Sequence, residues 1–294
     1  MKGIILAGGF GTRLHPSTIG VSKQLLPIYD KPLIYYPLST LMSAGIKDIL
    51  VITSKEDEHI FNKLLGNGEE LGISLSFATQ DYPNGIAQAF LIGEEFINDN
   101  SVTMILGDNL FHGSNLHSKL SVKEGRKFEG ARIFAYKVPD PSRYGVVEFN
   151  RNLDILSIEE KPKDPKSNHA VTGLYVYDNK VSSLVKKLKP SSRGELEITD
   201  LNQLYLEESR LEVCLLDSGD AWLDAGTPDS MLEASHFVQT IQKRQLQQIG
   251  CPEEIALKKG YITKEEFEDL AEKSPLNNYG NYLRVLAKDN NVNS

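Results

Sequence analysis

Lys2-Gly3-Ile4-Ile5-Leu6-Ala7-Gly8-Gly9-Phe10-Gly11-Thr12-Arg13-Leu14, followed one loop later by Ser22-Lys23-Gln24-Leu25-Leu26-Pro27, decides how the rest of this chain is read. Ile4 to Ala7 is a short apolar run of buried-strand type, bounded by glycine. Gly8, Gly9 and Gly11 follow at once, and glycines let a backbone turn sharply and approach a ligand closely. Exposed N–H groups in such a turn form an anion-binding concavity. Arg13 adds a planar fork of donors matched to phosphate, and Lys23 adds a point charge. The plainer reading is a glycine turn with no ligand. Arg13 and Lys23, with no acid beside them in the sequence, favour phosphate. A P-loop needs Gly, four residues, then Gly-Lys-Ser/Thr, and none occurs. Gly9-Phe10-Gly11 begins a G-x-G-x-x-G fingerprint, but its third glycine position is Leu14.

The whole chain sets outer bounds. Its 294 residues are 40% hydrophobic and 24% charged, which suits a large globular core. A net charge of −8 argues against a nucleic-acid partner, which needs a basic face. Cys214 and Cys251 form neither a disulfide framework nor a zinc set, so a reducing, cytoplasmic setting is expected. The N-terminus carries no signal-peptide pattern, and no apolar run reaches the roughly 20 residues of a membrane span. The six histidines are too scattered for a zinc cluster or a triad.

Strand and helix patterns alternate through the first half. Strands are expected over 4–7, 48–53, 74–79 and 102–106, and helices over 32–45, 56–65 and 86–97. Such alternation implies an α/β fold with a mostly parallel, Rossmann-like sheet and helices on both faces. Ligands in these sheets sit beyond the carboxyl ends of the strands. The glycine loop, Gln80 and Asp108 all fall there. The middle is β-rich, with strands expected over 132–138, 146–149, 154–159 and 171–177. Helices over 180–188 and 197–208 and a strand over 212–216 follow. Thr227-Pro228 then opens another helix. From about Gly250 the chain is a helical tail over 252–258, 263–273 and 279–287, with residues 289–294 expected to fray. The expected division is a core over 1–249, with halves 1–110 and 111–249, and a tail over 250–294 that packs on its own subunit or on another.

Several polar residues sit where chemistry could use them. Asp108 follows a strand in Leu106-Gly107-Asp108-Asn109, and Asp224 follows Trp222-Leu223. Each is either a turn aspartate or a ligand for Mg²⁺, which takes one or two carboxylates plus phosphate oxygens. Glu160-Lys161 after a strand is either a solvated charge pair or a polar grip on a substrate. Gln80, ahead of a Pro83-Asn84-Gly85 turn, offers both donor and acceptor to a base edge.

Gly8-Gly9-Phe10-Gly11-Thr12-Arg13-Leu14, Pro16-Ser17-Thr18 and Lys23-Gln24-Leu25-Leu26-Pro27 together resemble the signature of the sugar-nucleotide pyrophosphorylases, or nucleotidylyltransferases. The likeness covers essentially the whole length and is greatest to their thymidylyltransferase branch. One departure is Ser22, where many relatives have proline. The resemblance implies transfer of a nucleotidyl group from dTTP to glucose 1-phosphate with Mg²⁺ as cofactor. It places the nucleotide on Gly8, Gly9, Gly11, Thr12, Arg13, Lys23, Gln24, Gln80, Gly85 and Asp108. It places the sugar on Asn109, Tyr144, Gly145, Glu160, Lys161, Val171, Thr172, Tyr175 and Arg193, and the metal on Asp108 and Asp224. Arg13, Lys23 and Lys161 would carry the chemistry. It also implies a homotetramer inhibited by a dTDP-sugar at a second site. A uridylyltransferase using UTP, a glycosyltransferase of GT-A type and a non-catalytic sensor stand as alternatives. The glycosyltransferase would show Asp-x-Asp where this chain has Gly107-Asp108-Asn109, and a sensor would be expected to lose Arg13 or the metal acids.

Overall fold

The structure is a computed structural model that describes residues 1–113, 115–120 and 128–289. Its strands are β1 (Lys2–Ala7), β2 (Pro27–Ile28), β3 (Lys31–Pro32), β4 (Asp48–Thr53), β5 (Ser74–Thr79), β6 (Val102–Leu106), β7 (Asn109–His112), β8 (Ala131–Lys137), β9 (Gly145–Phe149), β10 (Ile155–Glu160), β11 (His169–Tyr177), β12 (Leu211–Leu215) and β13 (Ala221–Asp224). Nine of them form one sheet. β5, β4, β1 and β6 lie side by side and parallel, as the alternating pattern predicts. β11 then joins β6 antiparallel and carries the β-rich second half into the same sheet. One edge of β11 holds β8 and then β12; on its other edge β6 gives way to β9 and β10. The register of β11 against β8 shifts between Val171 and Tyr175, a kink that opens the sheet where the cavity begins.

Each face of the sheet is covered. One core packs Phe90, Tyr177, Leu201 and Tyr205 beneath helices that include Ala89–Ile92 and Ile198–Glu207. The opposite core packs Leu38, Met42 and Phe61 with Cys251, Phe267 and Leu283. The tail therefore packs on its own subunit. Phe267 is fully buried, and truncating such a side chain to alanine costs about 3–5 kcal/mol. Tyr261 locks the join further: its hydroxyl donates to the Met42 carbonyl at 2.8 Å. The capping box expected at Thr263 is present, with the Thr263 side chain accepting from Glu266 N.

The elements depart from the sequence reading in four places. The first helix starts at Tyr35, because residues before it form the β2–β3 hairpin. The expected helix over 86–97 breaks into a 3₁₀ turn, Ile86–Gln88, and two short helices divided at Gly93. β7 and β13, where the sequence suggests no element, pair antiparallel, Asp224 opposite Asn109. The boundary expected at 110/111 thus falls inside a strand. Residues 290–294, expected to fray, lie outside the described residues. Both cysteines are free. No described helix is long and apolar enough to cross a membrane.

Candidate active site

The carboxyl ends of β1, β5 and β6 converge on one spot. A Cβ on Gly8 would meet Gln80 Oε1 at 2.8 Å, and one on Gly107 would meet Gln24 Cγ at 3.0 Å. Gly11 sits at φ +60°, a left-handed conformation that suits glycine, and opens the 3₁₀ turn Thr12–Leu14. That turn leaves Arg13 exposed while burying Leu14. A Cβ on Gly226 would meet both Arg13 Nη2, at 2.8 Å, and Asp224 Oδ1, at 3.0 Å. The guanidinium and this carboxylate thus share one small space, brought together by the β7–β13 pairing.

Asp108 and Asp224 form the charged heart of the site. Lys23 is ion-paired to Asp108, a partner 85 residues away that the local sequence could not reveal. Burial would push the Asp108 carboxyl up, but the Lys23 charge and hydrogen bonds from Lys23 and Asn109 hold it below its usual range. Asp224 has no such partner. Burial, with the nearby charge of Asp108, pushes it up to about 6 against the weaker pull of Lys23, Arg13 and Arg143. Two half-buried carboxylates that repel each other, only one of them ion-paired, are the kind of site that suits a divalent cation. Among the described residues no cluster of three metal-ligating side chains occurs. Any cation here would complete its shell with other oxygens.

A cavity of about 600 Å³ runs from this centre to the β-rich half. Of the residues expected to hold substrates, Thr12, Arg13, Asp108, Asn109, Tyr144, Gly145, Glu160, Lys161, Val171, Tyr175, Arg193 and Asp224 line it. At the far end Glu160 Oε2 accepts from Thr199 Oγ1 at 2.6 Å, and Glu160 Oε1 lies 3.3 Å from Lys161 Nζ. Lys161 is held at φ +45°, uncommon outside glycine, with its N–H donating to the Tyr144 carbonyl at 3.0 Å. Arg193 makes a two-pronged pair with Glu197, at 3.2 and 2.8 Å. Trp222 forms part of the wall, its ring edge-on to Tyr144 at 5.1 Å between centroids.

Other expected residues are placed differently. Thr172 is fully buried, on the opposite face of β11 from Val171 and Tyr175, and among the described residues its hydroxyl has no hydrogen-bond partner. Strand alternation gives the reason: Val171, Gly173 and Tyr175 face the cavity, and Thr172 lies between them. Asn109 lines the cavity but is spent internally. Its carbonyl oxygen accepts from Trp222 Nε1 at 2.6 Å and Gly173 N at 3.1 Å, and its amide donates to Asp108 at 2.8 Å. It orients the aspartate and the wall. Gly8, Gly9, Gly11, Lys23, Gln24, Gln80 and Gly85 lie outside the lining of this cavity. Gln24 is buried and accepts from Ser22 Oγ at 2.7 Å, a bond that a proline at that position would lose. Gly85, at φ +105°, is pressed against Leu196: a Cβ there would stand 2.3 Å from the Leu196 carbonyl oxygen.

Thr199 and Ile86 line the cavity without having been singled out from the sequence. Thr199 lies inside a run read only as helix. Ile86 opens the first turn of another.

The chain has relatives among known proteins. The family model described as nucleotidyl transferase matches residues 2–241. The chain is 57% identical to the glucose-1-phosphate thymidylyltransferase of Neisseria meningitidis serogroup A, over 98% of this chain and 100% of that protein. It is 55% identical to that of Mycolicibacterium smegmatis, over 97% and 99%. Among solved structures, a Bacillus anthracis protein assigned as a glucose-1-phosphate thymidylyltransferase, in complex with a sucrose, matches with a TM-score of 0.74 and 44% identity. The match covers 81% of this chain and 94% of that one. A UDP-glucose pyrophosphorylase complexed with UDP-glucose matches with a TM-score of 0.70 and 27% identity, over 81% and 98%.

Proposed function

This chain belongs to the nucleotidyl transferase family, and from that premise we propose that it transfers a thymidylyl group from dTTP to glucose 1-phosphate, forming dTDP-glucose and diphosphate. The observation that carries this reading is the single cavity with Arg13, Asp108 and Asp224 at one end and Glu160, Lys161 and Arg193 at the other. Two phosphates that must react can be held there, each against its own cations.

A phosphate oxygen of glucose 1-phosphate attacks the α-phosphorus of dTTP, in line with departing diphosphate. That oxygen is already anionic at neutral pH, so no protein nucleophile or general base is required. Catalysis is then positioning and charge neutralisation. Arg13 holds the leaving phosphates from the glycine loop, and Lys23 stands beside the α-phosphate. Lys161 holds the sugar phosphate, and Glu160, braced by Thr199, accepts from sugar hydroxyls. The donor set of Asp108 and Asp224 fits Mg²⁺, which would neutralise phosphate charge there.

The same reading extends to a cytoplasmic homotetramer with a second site for an inhibitory dTDP-sugar, and to a product consumed in dTDP-rhamnose-type deoxysugar and surface polysaccharide synthesis. Diphosphate release measured over a panel of nucleoside triphosphates and sugar 1-phosphates tests the reaction. The expected result is the highest kcat/KM with dTTP and glucose 1-phosphate. A preference for UTP, or no release with any pair, would overturn it. Light scattering of the full chain tests the tetramer, and inhibition by dTDP-sugar that excess dTTP fails to relieve tests the second site.

A further inference from the structure

Arg13 reaches the cavity from a loop with little packing to fix its shape. Between Gly9 and Gly20 only Leu14 is buried, while Phe10 and Ile19 are 57% and 74% exposed. The backbone bonds within this stretch are short in range. Leu14 N donates to Gly11 O at 2.9 Å, His15 N to Thr12 O at 3.2 Å, Ser17 N to Leu14 O at 2.9 Å and Ile19 N to Pro16 O at 3.1 Å. These bonds shape successive turns but do not tie the first turn to the last. Among the described residues one bond does so: Thr18 Oγ1 donates to the Gly11 carbonyl oxygen at 3.0 Å, seven residues back. Gly11 is also held from two sides, since a Cβ there would meet Thr18 Cγ2 at 2.9 Å and Lys23 Cβ at 3.2 Å. Its carbonyl therefore accepts twice, from the turn that carries Arg13 and from Thr18.

We propose that Thr18 is a positioning residue for the leaving group: its hydroxyl closes the glycine loop onto Gly11 and so fixes Arg13 relative to Lys23. The inference rests on the roles proposed above for those two cations and deepens them. Thr18 lies outside the cavity lining and its hydroxyl is directed at its own backbone, so it acts through the loop and not on substrate. The two cations differ in what holds them. Lys23 is fixed by its pair with Asp108, whereas Arg13, among the described residues, joins no ion pair. Arg13 and Lys23 must meet neighbouring phosphates at the same moment, and a misplacement of about 1 Å in such a set slows reaction steeply. The Thr18 bond supplies the restraint that the Arg13 side chain lacks. Without it, the turn Thr12–Leu14 keeps its own hydrogen bonds but swings as a unit on Gly11.

The test measures kcat in the forward direction and the KM for diphosphate in the reverse direction. It uses the wild type, Thr18→Val, Thr18→Ser, and Arg13→Ala with and without Thr18→Val. Valine keeps the methyl against Gly11 and loses the donor; serine keeps the donor. Thr18→Val should lower kcat about tenfold and raise the KM for diphosphate about tenfold, with the KM for glucose 1-phosphate unchanged. Thr18→Ser should stay within about threefold of the wild type. On the Arg13→Ala background Thr18→Val should add nothing, because a residue that acts through another has no effect once that one is gone. Should Thr18→Val fail to fold, Thr18→Ala carries the same expectations. A folded Thr18→Val or Thr18→Ala enzyme with wild-type constants overturns the inference. So does a Thr18→Ser enzyme as impaired as Thr18→Val, or a Thr18→Val loss that repeats in full on Arg13→Ala. A wild-type chain inactive with dTTP overturns the proposed reaction, and this inference with it.

Discussion

The two ends of the cavity hold their cations in opposite ways. At the glycine loop Arg13 is exposed and, among the described residues, joins no ion pair. At the β-rich end Arg193 is bracketed by Glu197 at 2.8 Å, Glu160 at 3.6 Å and Glu195 at 3.7 Å. Lys161 there also leans on Glu160. The acids crowd one another: burial, with the charges of Glu197 and Glu160, raises the Asp200 carboxyl. A caged cation keeps its place, but its field is partly spent on its own protein. A cation outside any ion pair keeps more of its field, and its ligand must order it. The free end suits a leaving group whose charge grows during reaction, and the caged end suits a substrate whose attacking oxygen gives up charge.

That contrast can be broken from the free end first. Arg13→Ala should lower kcat for diphosphate release by a factor of roughly 10² or more, because it removes a cation placed to stabilise the charge of the leaving group. Its circular dichroism should match wild type, since the side chain is exposed on a turn. A near-normal kcat would remove Arg13 from the mechanism. Next, Asp108→Asn and Asp224→Asn should each raise the Mg²⁺ concentration for half-maximal rate by about 10-fold to 100-fold. Unchanged Mg²⁺ titrations in both would put the cation elsewhere.

Two smaller effects sharpen the comparison. Lys161→Ala should raise the KM for glucose 1-phosphate about tenfold and leave dTTP nearly untouched, while Gln80→Ala should do the reverse. Equal effects on both substrates would erase the division between the ends. Glu197→Gln opens one side of the Arg193 cage. With Arg193 42% exposed, the pair is screened, and the KM for glucose 1-phosphate should move only about twofold. A tenfold change would mean that the cage itself sets affinity.

The strands of the parallel half were legible because they are local. Asp48–Thr53, Ser74–Thr79 and Val102–Leu106 are continuous β-rich runs, each ended by polar or glycine residues. Placement of the glycine loop, Gln80 and Asp108 at one edge followed from topology alone. The β7–β13 pair was not legible, because Asn109 and Asp224 face each other only after 115 residues of chain have folded. A separation of 85 residues likewise hid the Lys23–Asp108 pair. Thr172 was a different failure. The side-chain period of two along β11 separates it from Val171 and Tyr175, a signal present in the sequence and not applied. Gly93, at the interruption, is held to glycine by crowding: a Cβ there would come within 3.1 Å of Ile4 Cδ1.

The join between Gly85 and Leu196 is made of main-chain atoms, and this makes the two positions unequal under mutation. Position 196 meets Gly85 through its backbone N–H and carbonyl, which every residue except proline supplies, while its side chain packs on the core. It can exchange with other apolar side chains while the contact persists. Position 85 supplies an absence, the missing Cβ, together with a left-handed φ that other residues resist. A library randomised at both sites and selected for activity would return several apolar residues at 196 and glycine alone at 85.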